Sequence, residues 1–144
     1  MIMQKPNIIF IPVGSNQQKL RAICHYIQHH FELGDNILIV APNEQATRYL
    51  DELLWKFFPE SFLPHIASNT PSSEKVVITS AAQNLNQALV LINLCAEVSP
   101  IADQFNVVYE LYDQTHPEKL AQSQRRQQIY TSKQFTIVQS AALE

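Results

Sequence analysis

Residues 7–40 read NIIFIPVGSNQQKLRAICHYIQHHFELGDNILIV, and the order of patterns in this stretch decides the fold. Asn7–Val13 is an apolar run of strand length without a charge, as expected of a strand covered on both faces. Gly14-Ser15-Asn16 supplies turn chemistry and then a helix cap. Leu20, Ile23, Cys24, Ile27 and Phe31 recur at helical spacing, which marks one buried stripe, and Gly34 ends that helix. Ile37–Val40 is a second buried strand, stopped by Pro42. Asn43 caps a second helix through about Trp55, with Ala46, Leu50, Leu53 and Leu54 as its inner face. A strand–helix–strand–helix opening predicts an α/β fold: an open, mostly parallel, Rossmann-like sheet with helices on both faces.

Working outward, the middle of the chain is less regular. His65-Ile66-Ala67 reads as a short strand, Ser68–Ser73 as a polar turn, and Val76–Thr79 and Ala88–Leu94 as strands. Ser99–Gln104 reads as a short helical turn and Val107–Leu111 as another strand. Pro117 opens a last helix at its first turn, helped by Glu118. Phe135–Val138 reads as a last strand or an extended tail. No repeat, low-complexity tract or linker divides residues 1–144, so one domain is expected.

The chain has 144 residues, 46% of them hydrophobic and 16% charged, with a net charge of −3. That balance argues against broad, direct, high-affinity nucleic-acid binding, which needs many cations on phosphates. No apolar run has the length of a membrane span, and Met1–Pro6 lacks a charged-then-apolar signal pattern, so a cytoplasmic protein is expected. Cys24 and Cys95 lie in apolar surroundings without metal-ligand spacing and read as buried free thiols in a reducing compartment.

Three kinds of site chemistry can be weighed on the residues. The first strand–helix turn, Val13-Gly14-Ser15-Asn16-Gln17, has one glycine and no Gly-Lys-Ser/Thr ending. A backbone cradle for phosphate needs more glycine than that, so neither a dinucleotide fingerprint nor a P-loop is present and no cofactor is expected. His25 and His29 have the one-turn spacing of a metal pair, yet they project opposite the Leu20/Cys24/Ile27 stripe and read as solvated. Ser61 and His65 beside Glu60 could suggest a hydrolase, but a Pro-flanked loop offers neither a nucleophile elbow nor oxyanion donors. A small nucleotide-dependent or hydrolytic α/β enzyme is thus the alternative reading, and a binding protein the main one.

The segment Asp51–His65, DELLWKFFPESFLPH, holds the sole Trp, three of the seven Phe and two of the eight Pro. Aromatics on a Pro-pinned loop can present a rigid apolar surface. Leu50, Asp51, Glu52, Leu54 and Trp55, then Glu60, Ser61, Phe62, Leu63, Pro64 and His65, resemble a motif of the chi subunit of bacterial DNA polymerase III, a clamp-loader accessory protein. The resemblance implies a non-catalytic replication subunit. It implies that Trp55, Phe62, Pro64 and His65 form the surface that docks the psi subunit or a related helicase. It also implies that the region of the last helix binds the acidic C-terminal tail of single-stranded DNA-binding protein.

That helix is polar almost all round, with Gln-Ser-Gln-Arg-Arg-Gln-Gln at 122–128. Lys119, Arg126 and Lys133 recur at seven-residue spacing and fall on one stripe, with Tyr130 close by. A cationic stripe beside an aromatic suits an acidic peptide or a terminal carboxylate. Gln124 and Gln128 stand where the family pattern places two of its cations.

Overall fold

β1 (Asn7–Val13) and β2 (Ile37–Val40) are the strands expected from the opening stretch, joined by α1 (Asn16–Glu32). Ser15 caps α1 by accepting the Gln18 N–H on its hydroxyl at 3.1 Å, and Gly34 leaves the helix at φ +83°, which a side chain would strain. α2 (Glu44–Phe57) starts from Asn43, whose Oδ1 accepts the Ala46 N–H at 2.8 Å. The remaining elements are β3 (Ile66–Ala67), β4 (Val76–Thr79), β5 (Val90–Asn93), a 3-10 turn (Ala102–Gln104), β6 (Val107–Asp113), α3 (Pro117–Ser132) and β7 (Thr136–Gln139). This computed structural model describes residues 5–57 and 63–142.

The seven strands among the described residues form one open sheet, ordered β3-β4-β2-β5-β6-β1-β7, and every pairing between them is parallel. Strand residues alternate between two cores. Ile37 and Ile39 face a cluster with Ala22, Ile23 and Ile27 of α1 and Leu50 and Leu54 of α2. Leu38 and Val40 face the other cluster, with Tyr130 of α3 and with Ala102 and Phe105 at the 3-10 turn. Helices therefore cover both faces, which explains why the central strands read as unbroken apolar runs. The segment expected to be strand or tail is β7, an edge strand pairing with β1 from Asn7↔Thr136 to Phe10↔Gln139. The strand read as Ala88–Leu94 is shorter, because Asn84 holds the Ala88 N–H and carbonyl, at 2.9 Å each, before β5 begins.

Two donors of the first strand–helix turn are occupied from within. Gln18 Oε1 accepts the Gly14 N–H at 2.6 Å, while the Gln18 N–H goes to Ser15. A phosphate would have to displace both bonds to gather those two N–H groups. Calorimetric titration with ATP, NAD and their metal complexes is expected to show nothing tighter than about millimolar, roughly 4 kcal/mol of binding free energy. A micromolar signal abolished by Gly14→Val would show a nucleotide site here.

Candidate partner-binding surfaces

The end of α2 and the start of β3 bring Trp55 and His65 together. Trp55 remains 44% exposed, and its ring lies 4.1 Å from the His65 ring, centroid to centroid. The His65 side chain is itself buried and fixed: Nδ1 is 2.8 Å from the Leu63 carbonyl, and Nε2 is 3.2 Å from both the carbonyl and the carboxylate of Asp51. Leu63 enters the core under α2, and Pro64 is half-buried between Leu63 and His65. The indole thus stands on a ring that cannot turn, with exposed Phe57 and Ile66 on the adjoining helix end and strand. Phe62, with Phe58, Pro59, Glu60 and Ser61, lies outside the described residues, as does the Ser61 half of the hydrolase reading.

The basic stripe on α3 is not an exposed surface. Lys119 and Lys133 are exposed, but Arg126 is 6% exposed and Tyr130 is fully buried. The stripe at seven-residue spacing is the inner face of the helix, shared with Ser123. Only its middle is buried, while Lys119 and Lys133 at its two ends stay in solvent. Arg126 Nε sits 3.0 Å from Glu110 Oε1, out of line for a hydrogen bond, so this is a contact between charges. The guanidinium donates instead to the carbonyls of Ala96 and Leu111, at 3.0 and 2.8 Å. Glu110 Oε2 accepts from Asn93 Nδ2 at 2.7 Å and from the Tyr130 hydroxyl at 2.6 Å. Burial pushes the Glu110 carboxyl up to about 7, against the opposing pull of Arg126, Tyr130 and Asn93.

The four residues read as one site divide between two cavities. Lys119 and Arg126 border a small polar cavity of about 50 Å3 at the C-terminal ends of β5 and β6. Tyr130 and Lys133 border a separate groove of about 370 Å3, closed by Lys5, Ser99, Asp103 and Phe135. The Lys5 ammonium lies 4.8 Å over the Phe135 ring and donates to the Lys133 carbonyl. Gln124 and Gln128 are on the outer side of α3, where an open cleft runs between them and Tyr112.

Two clusters escaped the sequence reading. One is the Glu110 network, whose signal was a lone acid inside the apolar run Val107–Leu111. The other is His30, which is buried, with Nδ1 2.8 Å from Asp35 and Nε2 2.6 Å from the Tyr109 hydroxyl. His25 and His29 are exposed and stacked on each other. Cys24 is buried and its thiol is pushed up to about 12, while Cys95 is half-buried and raised by burial and then by Glu110. Among the described residues no group of three or more His, Cys, Asp or Glu could hold a metal, and no helix is long and apolar enough to cross a membrane.

The chain is thus an all-parallel α/β domain that holds a partly exposed Trp against a buried, hydrogen-bonded His. The chain belongs to the DNA polymerase III chi subunit family: the family model described as DNA polymerase III chi subunit, HolC, matches residues 5–138. It is 25% identical over 109 residues to the DNA polymerase III subunit chi of Pseudomonas aeruginosa, covering 76% of this chain and 77% of that protein. The protein is therefore a replication accessory subunit by family.

Arg126→Ala is expected to destabilise the fold by about 1–3 kcal/mol, because it leaves the Ala96 and Leu111 carbonyls without their donor and drives the Glu110 carboxyl further up, to its neutral form. Chemical denaturation measures this. The Glu110 carboxyl is raised in the folded state, so the folded chain holds that proton more tightly than the unfolded one. Its contribution is fully present below the ordinary value of 4.5 and is lost as pH rises towards about 7. Relative to Glu110→Gln, the unaltered protein is expected to lose stability across that window, and a difference flat in pH would refute the assignment.

Proposed function

We propose that the protein is a non-catalytic linker in the replicative polymerase, holding the psi subunit, or a related helicase, at one surface and single-stranded DNA-binding protein at another. The observation that carries the first half is the Trp55–His65 stack. An indole nearly half in water, on a ring fixed by Leu63 and Asp51, is a pre-organised anchor of the kind that dominates interfaces. Little rotamer freedom is left to lose when a partner covers it. Phe62 joins this surface through the family motif, together with Pro64.

For the acidic tail, the groove between α3 and the 3-10 turn is the better host. Lys5 and Lys133 flank it, and Phe135, backed by the buried Tyr130 ring, offers an aromatic wall. Lys119 lies towards the other end of the helix and can meet acidic residues further along the tail. Asp103 on the rim opposes these cations and leaves a modest net attraction, which points to micromolar affinity screened by salt. Arg126 contributes by docking α3 and not by touching the tail.

Trp55→Ala is expected to weaken binding of the psi subunit from the same organism by about 2 kcal/mol or more, with thermal stability changed by less than about 1–2 kcal/mol. Calorimetry of the purified pair measures the first and a melting curve the second. Undiminished binding would move the partner elsewhere. The combined Lys5→Ala and Lys133→Ala change is expected to weaken a labelled tail peptide about tenfold, roughly 1.4 kcal/mol, in an anisotropy titration. Salt-independent binding, or full binding by the double variant, would place the tail outside this groove.

A further inference from the structure

The sheet divides between β2 and β5. These neighbours are parallel, and the chain leaves them in opposite senses, from β2 to α2 on one face and from β5 to the 3-10 turn on the other. Such a crevice beyond the C-terminal strand ends is where open α/β sheets bind ligands. A cavity of about 380 Å3 lies there. Its walls are Leu20 and Ile23 of α1, Leu50 and Leu53 of α2, and Leu94 after β5, with the small Ala46 between the helices. Polar atoms gather at its mouth, from Asn16, Lys19 and Tyr49, the last 67% exposed.

The charge at this mouth is already matched. Lys19 Nζ is 2.6 Å from Asp113 Oδ2. Burial raises the Asp113 carboxyl, but Lys19 and Thr115 outweigh it and hold it below the ordinary carboxylate range. An anion would have to break that pair, and the nearby Gly14 and Gln18 N–H groups are taken. The walls are hydrocarbon and the volume falls in the range of small-molecule sites. We propose that the cavity binds a small neutral molecule: a fused-ring or similarly bulky apolar body between α1 and α2, with one hydrogen-bonding group at Asn16 and Tyr49. The site is independent of the Trp55 surface, because Ala46 and Trp55 are nine residues apart on α2 and project about 180° from each other.

The test is an NMR titration of the full 15N-labelled chain with 2-naphthol, a neutral fused ring with one hydroxyl, and with 2-naphthoate, its anionic counterpart. Expected are saturable shifts from 2-naphthol confined to residues 16–23, 41–53 and 94, with at least tenfold weaker binding of 2-naphthoate. Ala46→Trp fills the cavity and is expected to abolish the shifts while spectral dispersion is kept. Ala46→Phe, a smaller plug, serves if the first variant does not fold. The proposal is overturned by absence of saturation up to the solubility limit, by shifts centred on Trp55 and His65, by equal affinity for the anion, or by unchanged binding in a folded plugged variant.

Discussion

Glu110 is a carboxylate in the middle of a central strand, 0% exposed, and the placement of α3 depends on it. Every hydrogen bond or charge it receives comes from a different part of the chain: Asn93 on β5, Tyr130 and Arg126 on α3. An apolar contact would tolerate α3 sliding by a residue. A buried carboxylate does not, since an uncompensated charge there costs several kcal/mol. α3 is poor in apolar residues, so hydrophobic burial alone gives it little reason to settle in one register. The network supplies that register. It also closes the floor of the groove beside Lys133, because the hydroxyl held by Glu110 belongs to the Tyr130 ring in its wall.

The opening strand–helix–strand–helix stretch was legible because its apolar residues recur at the two periods that backbone geometry imposes. The parallel sheet and the coverage of both faces followed from it. The order of the strands did not, since crossovers depend on which faces meet and not on any local pattern. α3 was misread for a definite reason. Its inner face is Ser123, Arg126 and Tyr130, so polarity could not separate inside from outside, and a buried stripe passed for a solvent-facing one. The acid at 110 was the available signal, as a charge within a strand core requires a partner. His65 was picked out through the family motif. What the motif did not convey is its burial, which makes it the support of Trp55 as well as its neighbour.

The two surfaces proposed for partners lie on opposite layers. Trp55 and His65 belong to the α1/α2 side, while the groove beside Lys133 lies on the α3 side. Seven parallel strands separate them, which is a stiff spacer. A partner on one layer need not disturb the other, and two partners can be held at once without competing for area. The proposed linking of two partners would therefore require no conformational change.

The position of β1 has a consequence for how the protein comes to be. The first strand is inserted between β6 and β7, the last two strands of the sheet, with Asn7 level with both Val107 and Thr136. During synthesis the strand therefore waits without either neighbour until β6, 100 residues further along, has been made. Pairings between distant parts of a chain form slowly, and an unpaired apolar strand invites association in the meantime. The run Ile8–Ile11 is the segment most in need of protection in the nascent chain. Loss of the residues after α3 would expose it again along the edge of an otherwise finished sheet.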